Sequence, residues 1–341
     1  MGQALCFIFF VVGLVAIIKG SDWFIDAVIW VSNVFKIPYI IIGATIVSIC
    51  TTLPETFVSV TAALKNQSDF AFGNAIGSIA VNTGFIMAIM IIFAKPKIDK
   101  MKDFIRNGVF LIALLLFTLF VGTTIGEINR FIGALLVCLL IVYLVNNVIN
   151  AKRKTRVRYE IEREEDMEGE IPLYEGVAMD VVDNEIDISR KVILKYTLSF
   201  IAGIALVVIG SNLLVDNGIK IAELLGVPPF IIAVTFTALG TSLPELVTTI
   251  TSIRKNATNI GVGNIIGANI LNIIQVVGIS SIIRTIPLAQ NKELVYIQIP
   301  IVLAIVVFAV LFGVIGKSGY KRWNGLALLA IYSVFVISTV S

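Results

Sequence analysis

The chain has 341 residues, of which 57% are hydrophobic and only 14% charged. That much apolar surface cannot be hidden by a soluble domain of this size, so the composition excludes a soluble enzyme and indicates a polytopic membrane protein. The net charge of +3 is uninformative, but the absence of histidine excludes a histidine proton relay or a histidine-ligated metal.

Apolar runs long enough to cross a bilayer predict membrane helices at about 4–31, 38–64, 70–94, 104–123 and 129–149. The first run has the look of a signal peptide, yet it has a counterpart later in the chain and is expected to stay. A polar stretch at 150–190 follows. It starts basic (Lys152, Arg153, Lys154, Arg156, Arg158) and turns acidic at Glu160–Glu170 and Asp180–Asp187. We read it as a membrane-edge basic anchor followed by a solvated linker. Five more runs lie at about 192–217, 228–253, 259–283, 293–315 and 323–340. Cys6, Cys50 and Cys138 are scattered through apolar runs, which suits packing residues and neither a disulfide framework nor a zinc site.

The two sets of five match at a constant offset of 190. Gly20-Ser21 pairs with Gly210-Ser211, Asp26 with Asp216, Leu53-Pro54-Glu55 with Leu243-Pro244-Glu245, Lys65-Asn66 with Lys255-Asn256, Gly73-Asn74 with Gly263-Asn264, and Asn82 with Asn272. Of the 65 positions from 20 to 84, 20 are identical without a gap, so the chain is an internal duplication. A repeat with an odd number of spans inserts in opposite orientations, giving an inverted pair about a pseudo-two-fold axis in the membrane plane. The expected fold is therefore all-α: ten transmembrane helices in two inverted repeats (1–149 and 191–341), joined by the charged linker 150–190.

Charge predicts the orientation. With the N-terminus outside, the inner connections hold Lys95, Lys97, Lys100, Lys102, Arg106, the Lys152–Arg158 cluster, Arg190, Lys191, Arg254 and Lys321-Arg322. The outer side keeps Lys65, Arg130, Lys220, Arg284 and Lys292. That bias predicts both termini outside, the 150–190 loop in the cytoplasm, and a multi-pass protein of the cell membrane.

Chemistry concentrates at Thr51-Thr52-Leu53-Pro54-Glu55 and Thr241-Ser242-Leu243-Pro244-Glu245. Asp22, Asp26 and Asp216 sit near span ends and can reach interfacial water, and Lys19 can pair with Asp22. Glu55 and Glu245 are mid-span, where an uncompensated charge costs several kcal/mol. The repeat puts them near one another at mid-depth, which calls for a cation or a protonated carboxyl. Pro54 and Pro244 cannot donate to the carbonyls of Cys50 and Gly240, so each helix is expected to be broken there. Free carbonyls are tolerated in a membrane only when buried in protein or lining a cavity. With the hydroxyls of Thr51, Thr52, Thr241 and Ser242, they form an all-oxygen donor set suited to a hard cation. Asn82 and Asn272 add amide oxygens without charge. The site then has a formal charge of −2, which balances one Ca²⁺ or two Na⁺.

These segments, with Gly73-Asn74-Ala75-Ile76-Gly77-Ser78 and Gly263-Asn264-Ile265-Ile266-Gly267, resemble the two α-repeats of the cation/Ca²⁺ exchanger superfamily, and most closely its Na⁺/Ca²⁺ exchanger branch. The resemblance implies an antiporter in which Na⁺ entry drives Ca²⁺ out by alternating access, the first helices of the two repeats sliding to switch access. Carried over by position, Glu55 and Glu245 are shared Ca²⁺ carboxylates, and Thr51 and Thr241 offer carbonyls. Thr52, Ser242, Ser48, Ala238, Ser78 and Asn82 line flanking Na⁺ sites. The implied partners are Ca²⁺, Na⁺ and the lipid bilayer, with no cofactor, no nucleic acid and a monomeric transport unit. The chain departs from the pattern at Asn272, where many such exchangers have an acid, and at Ala268, where they have a serine, so fewer Na⁺ ions or an altered cation preference is expected. A cation/H⁺ exchanger on the same fold would usually carry a glutamate where this chain has Gly77 and Gly267. A channel or non-transporting scaffold is the alternative of another class.

Overall fold

The computed structural model describes residues 2–34, 47–98, 101–168, 189–254, 258–316 and 319–340. In chain order they form α1 (Gly2–Val34), α2 (Val47–Thr51), α3 (Leu53–Leu64), α4 (Ser68–Ala80), α5 (Met87–Ala94), α6 (Met101–Thr124), β1 (Glu127–Ile128), α7 (Arg130–Glu168) and α8 (Arg190–Leu225). The second half follows as α9 (Pro229–Ile232), α10 (Ala238–Thr241), α11 (Leu243–Arg254), α12 (Thr258–Leu271), α13 (Gly278–Ile283), β2 (Ile286–Pro287), α14 (Ile299–Ile315) and α15 (Arg322–Val340). π-Helical turns at Val81–Ile86, Ala233–Thr237 and Asn272–Val277 link α4 to α5, α9 to α10 and α12 to α13. A fourth, Leu294–Gln298, leads into α14.

Nine segments among the described residues are long and apolar enough to cross a membrane, and α3 is a shorter apolar helix. The start of the second predicted span, 38–46, lies outside the described residues. Burial sorts the spans. Those carrying the Gly-Asn motifs are central, 78% buried over Ser68–Ala94 and 89% over Gly261–Ile283. Leu5–Phe24 and Arg130–Asn150 are peripheral, at 28% and 22%. Their outward faces carry Phe7, Val11, Phe131 and Val142, an apolar surface that only lipid can cover. Cys138 faces outward there, so it is not the internal packing residue expected, whereas Cys6 packs at a core rim.

The described residues define two ends. At one, β1 pairs antiparallel with β2 (Glu127 opposite Pro287), and Lys65 on the α3–α4 turn meets Asp216 of α8 at 2.6 Å. We call this the ribbon end. At the other, Tyr320 donates its backbone N–H to the Pro96 carbonyl (3.1 Å) and its hydroxyl to that of Ala309 (2.9 Å). We call this the linker end. Lys19 and Asp22 form the expected pair at 3.7 Å.

α7 does not stop where its apolar run stops. It continues as one helix to Glu168, through the first part of the expected linker. Residues 151–168 are rich in Lys, Arg and Glu, which are good helix formers. Residues 169–188 lie outside the described residues.

α1 and α8 run antiparallel in backbone contact. A Cβ on Gly13 would meet the Gly210 carbonyl at 2.8 Å, and one on Gly20 the Gly203 carbonyl at 2.7 Å. Only glycine allows so close an approach. Among the described residues, the main core contains none from either helix. The pair joins the remainder through a satellite core that includes Phe10, Ile17, Val58, Phe70, Leu214 and Ile232.

Candidate functional site

The two Pro-Glu segments interrupt their helices as their chemistry requires. α2 ends at Thr51 and α3 starts at Leu53, with Thr52 between them at φ −86°, ψ 1°. Ser242 separates α10 from α11 at φ −83°, ψ 8°. The break is one residue wide: Thr52 N–H still donates to the Ser48 carbonyl (3.2 Å) and Ser242 N–H to that of Ala238 (3.1 Å). Each helix is thus kinked rather than split into separate halves.

Glu55 and Glu245 follow the kinks, and both side chains are 0% exposed. They are near enough to interact electrostatically. Ser242 Oγ donates to Glu55 Oε1 across the repeat at 3.4 Å, while Glu55 Oε2 and both Glu245 oxygens lack a hydrogen-bond partner, with the Thr51 hydroxyl close to Glu245. No Lys or Arg pairs with either carboxyl among the described residues. Two carboxyls taken out of water without a counter-charge are costly, and the group that fits this surplus is a cation.

Neutral oxygens surround them. Thr241 Oγ1 donates to Asn74 Oδ1 at 3.3 Å, and Asn74 Nδ2 reaches the Glu55 carbonyl (3.3 Å) and Ser59 Oγ (3.0 Å). Ser48 Oγ donates to Asn264 Oδ1 at 3.4 Å. Thr51 and Thr52 turn their hydroxyls back onto the Ser48 carbonyl, at 3.2 and 2.9 Å. Ser78 Oγ, Asn82 Oδ1 and both amide atoms of Asn272 are buried without partners. The Ala238 carbonyl is engaged by Ser242 N–H and Thr241 Oγ1. Among the described residues no three His, Cys, Asp or Glu side chains cluster, so the charge here rests on the two glutamates. Asn82 and Asn272 both sit in π-helical turns, where the widened backbone turns a side chain out of the ordinary helical register.

Four polar residues at this level escaped the sequence reading: Thr56, Thr83, Asn269 and Gln275. Their repeat counterparts are Leu246, Ile273, Ile79 and Phe85, so matching the halves discards them.

The two ends of the site are not alike. At the ribbon end, a Cβ on Gly73 would meet the Phe230 carbonyl at 3.0 Å and Ala233 Cβ at 3.3 Å, and Gly77 lies against the Val234 carbonyl, with Ala238 Cβ at 2.7 Å. Gly73 is buried, and this contact closes the site. At the linker end, the equivalent Gly263 has nothing among the described residues within 4 Å of its Cβ position, and Gly267 has Ser48 Oγ at 3.3 Å; Ile40 and Gly43, the repeat counterparts of Phe230 and Ala233, lie outside the described residues. The difference extends to the pocket wall: Ser48 and Thr51 are 7% and 4% exposed, Ala238 and Thr241 0%. Ser59 is bonded to Asn74, but its counterpart Thr249 has no partner, nor has Asn264 Nδ2. Among the described residues, the glycine contact covers the site toward the ribbon.

The sodium/calcium exchanger protein family matches the chain over residues 5–149 and 195–340. The chain is 28% identical to the sodium/calcium exchanger MaX1 of Methanosarcina acetivorans, with 97% of each chain covered. It is 31% identical to the inner membrane protein YrbG of Escherichia coli, over 83% of this chain and 82% of that one. Among solved structures, it resembles the sodium-calcium exchanger NCX_Mj soaked with Na⁺ and Sr²⁺, with a TM-score of 0.63, 27% identity and coverage of 98% and 99%. A polytopic helical chain matched over both halves, with two buried carboxyls on kinked, repeat-related helices, belongs to the sodium/calcium exchanger family of membrane transporters.

Proposed function

We propose that the chain is a secondary antiporter that exchanges Na⁺ for Ca²⁺ by alternating access, holding the ions between the two Leu-Pro-Glu helices. One observation carries this: Glu55 and Glu245 are wholly buried beside each other, with oxygen donors around them and no basic side chain paired with either among the described residues. Glu55 and Glu245 carry the charge. Hydroxyls of Ser48, Thr51, Thr52, Ser78, Thr241 and Ser242, amide oxygens of Asn82 and Asn272, and the Ala238 backbone complete the donor set. The repeat relation supports alternation, because two halves that exchange conformations turn one end of the site into the other. The proposed arrangement is ten spans with both termini outside and the linker end in the cytoplasm, supported by the basic residues gathered there. One chain holds the whole site, so the transport unit is a monomer.

The ion count follows from charge. Asn272 and Ala268 add neither an acid nor a hydroxyl, so two carboxylates balance one Ca²⁺ or two Na⁺ and exchange is electroneutral. In proteoliposomes, an outward Na⁺ gradient should drive uptake of radiolabelled Ca²⁺, a pH gradient should not, and a clamped membrane potential should leave the rate unchanged. Uptake driven by the pH gradient alone would replace Na⁺ with H⁺. A rate that follows the potential with three Na⁺ per Ca²⁺ would overturn the ion count.

A further inference from the structure

Asn82 and Asn272 are related by the repeat, yet their surroundings differ. Asn82 Nδ2 donates to Asn269 Oδ1 at 3.1 Å, and Asn269 Nδ2 donates in turn to Thr83 Oγ1 at 2.6 Å. All three side chains are buried. With its nitrogen spent on Asn269, Asn82 can offer only its oxygen, and that oxygen is buried without a partner. Asn272 has no such bond at either amide atom. A second clamp acts on the same half: Gln275 Nε2 donates to Thr56 Oγ1 at 2.9 Å, and Thr56 Oγ1 donates to the Thr52 carbonyl at 2.8 Å, beside Glu55. Both clamps run from the second repeat onto the first. The reverse clamps cannot exist, because the four counterpart positions hold Ile79, Ile273, Leu246 and Phe85.

We propose that Asn269, with Gln275, is a positioning residue that fixes the first-repeat half of the ion site, presetting Asn82 oxygen-first, while Asn272 in the second half stays free to turn. This rests on the exchanger reading given above. An amide can meet a cation only through its oxygen, and an unheld amide must be ordered at each binding event. A neighbour that accepts from the nitrogen removes that ordering step, as partners behind metal ligands do. The free amide on the other side can turn its oxygen to one divalent ion or to two monovalent ions of nearly the same radius. One site thereby serves both cargoes without moving its backbone.

The test is a double-mutant cycle read by transport and by binding. Asn269→Ala should raise KM for both Ca²⁺ and Na⁺ by about tenfold, the low end of what losing a partner behind a metal ligand costs, and leave kcat within about twofold. The cation-induced rise in Tm of the detergent-solubilised protein should shift to correspondingly higher Ca²⁺ and Na⁺. In an Asn82→Ala background the same substitution should add nothing, because the amide it orients is gone. In an Asn272→Ala background its effect should persist in full. Thr83→Val, which keeps the shape but removes the acceptor for Asn269, should move KM in the same direction by less, and it reads the same contact if Asn269→Ala does not fold. A KM unchanged in both Asn269→Ala and Thr83→Val, or an Asn269 effect that persists without Asn82, overturns the proposal. A wild-type protein that binds Ca²⁺ with the predicted cycle but exchanges no Na⁺ would instead overturn the exchanger reading and leave the positioning role standing.

Discussion

At the scale of single residues, the site is a problem of unpaid charge. Glu55 and Glu245 are held together in a dry interior, and only a cation or a proton relieves them. Replacing either with glutamine keeps the shape and removes the need. Glu55→Gln and Glu245→Gln should each lower Ca²⁺ transport by at least about 100-fold, the upper end of the loss seen for groups one shell further out. The same variants should melt higher than wild type in cation-free buffer and lose the cation-induced rise in Tm. Differential scanning of detergent-solubilised protein measures both. These two residues were legible in the sequence because a carboxylate in a membrane span is expensive and occurs twice at the same offset. Asn269 and Gln275 were not, since the repeat comparison that finds the carboxylates erases any residue present in one half only. A buried amide also looks the same in sequence whether it binds an ion or holds another side chain.

At the scale of elements, proline and glycine were readable and backbone widening was not. Pro54 and Pro244 predicted where the helices break, and the breaks fall at Thr52 and Ser242. The π-helical turns that carry Asn82 and Asn272 follow from no residue type and depend on packing between α4 and α12. The extension of α7 was missed because a run of charges ends the apolar signal without ending the helix. The α14–α15 connection gives a pH prediction. Tyr320 is buried there with its hydroxyl on the Ala309 carbonyl, and burial pushes its pKa well above the usual tyrosine value. The folded state therefore keeps the phenol protonated. The stability this gives is complete below the unfolded pKa of about 10 and is lost as pH rises beyond it. Tyr320→Phe should cost about 1 kcal/mol at pH 8 and flatten the fall in Tm between about pH 9.5 and 11.

At the scale of the whole molecule, the duplication is legible because the halves match at a constant offset, whereas the end that a glycine contact covers is not, because the sequence halves are equivalent. Gly263 stands where Gly73 stands in the other half, yet it is exposed. Gly263→Leu should stop exchange, by blocking a closure of the linker end like the one Gly73 makes at the ribbon end. A cysteine at Ser48 would then be labelled from the linker end alone. Gly73→Leu should instead lose about 1–3 kcal/mol of stability by pressing on Phe230 and Ala233. Normal exchange by Gly263→Leu would remove the glycine seal from the cycle.

The glycine contacts between α1 and α8 have a mechanical meaning. Backbone against backbone at Gly13–Gly210 and Gly20–Gly203 makes the two helices a single stiff board. Its outer face touches lipid tails, which are as apolar as the side chains they meet, so shifting it through the bilayer costs little hydrophobic free energy. Its polar tie to the ribbon end, Lys65–Asp216, is half-exposed and worth about 0–1 kcal/mol. What resists the board is therefore drag from the surrounding acyl chains and the grip of a small satellite core. Were the board to shift during exchange, the fluidity of the membrane would be a working part of the cycle, acting as its lubricant.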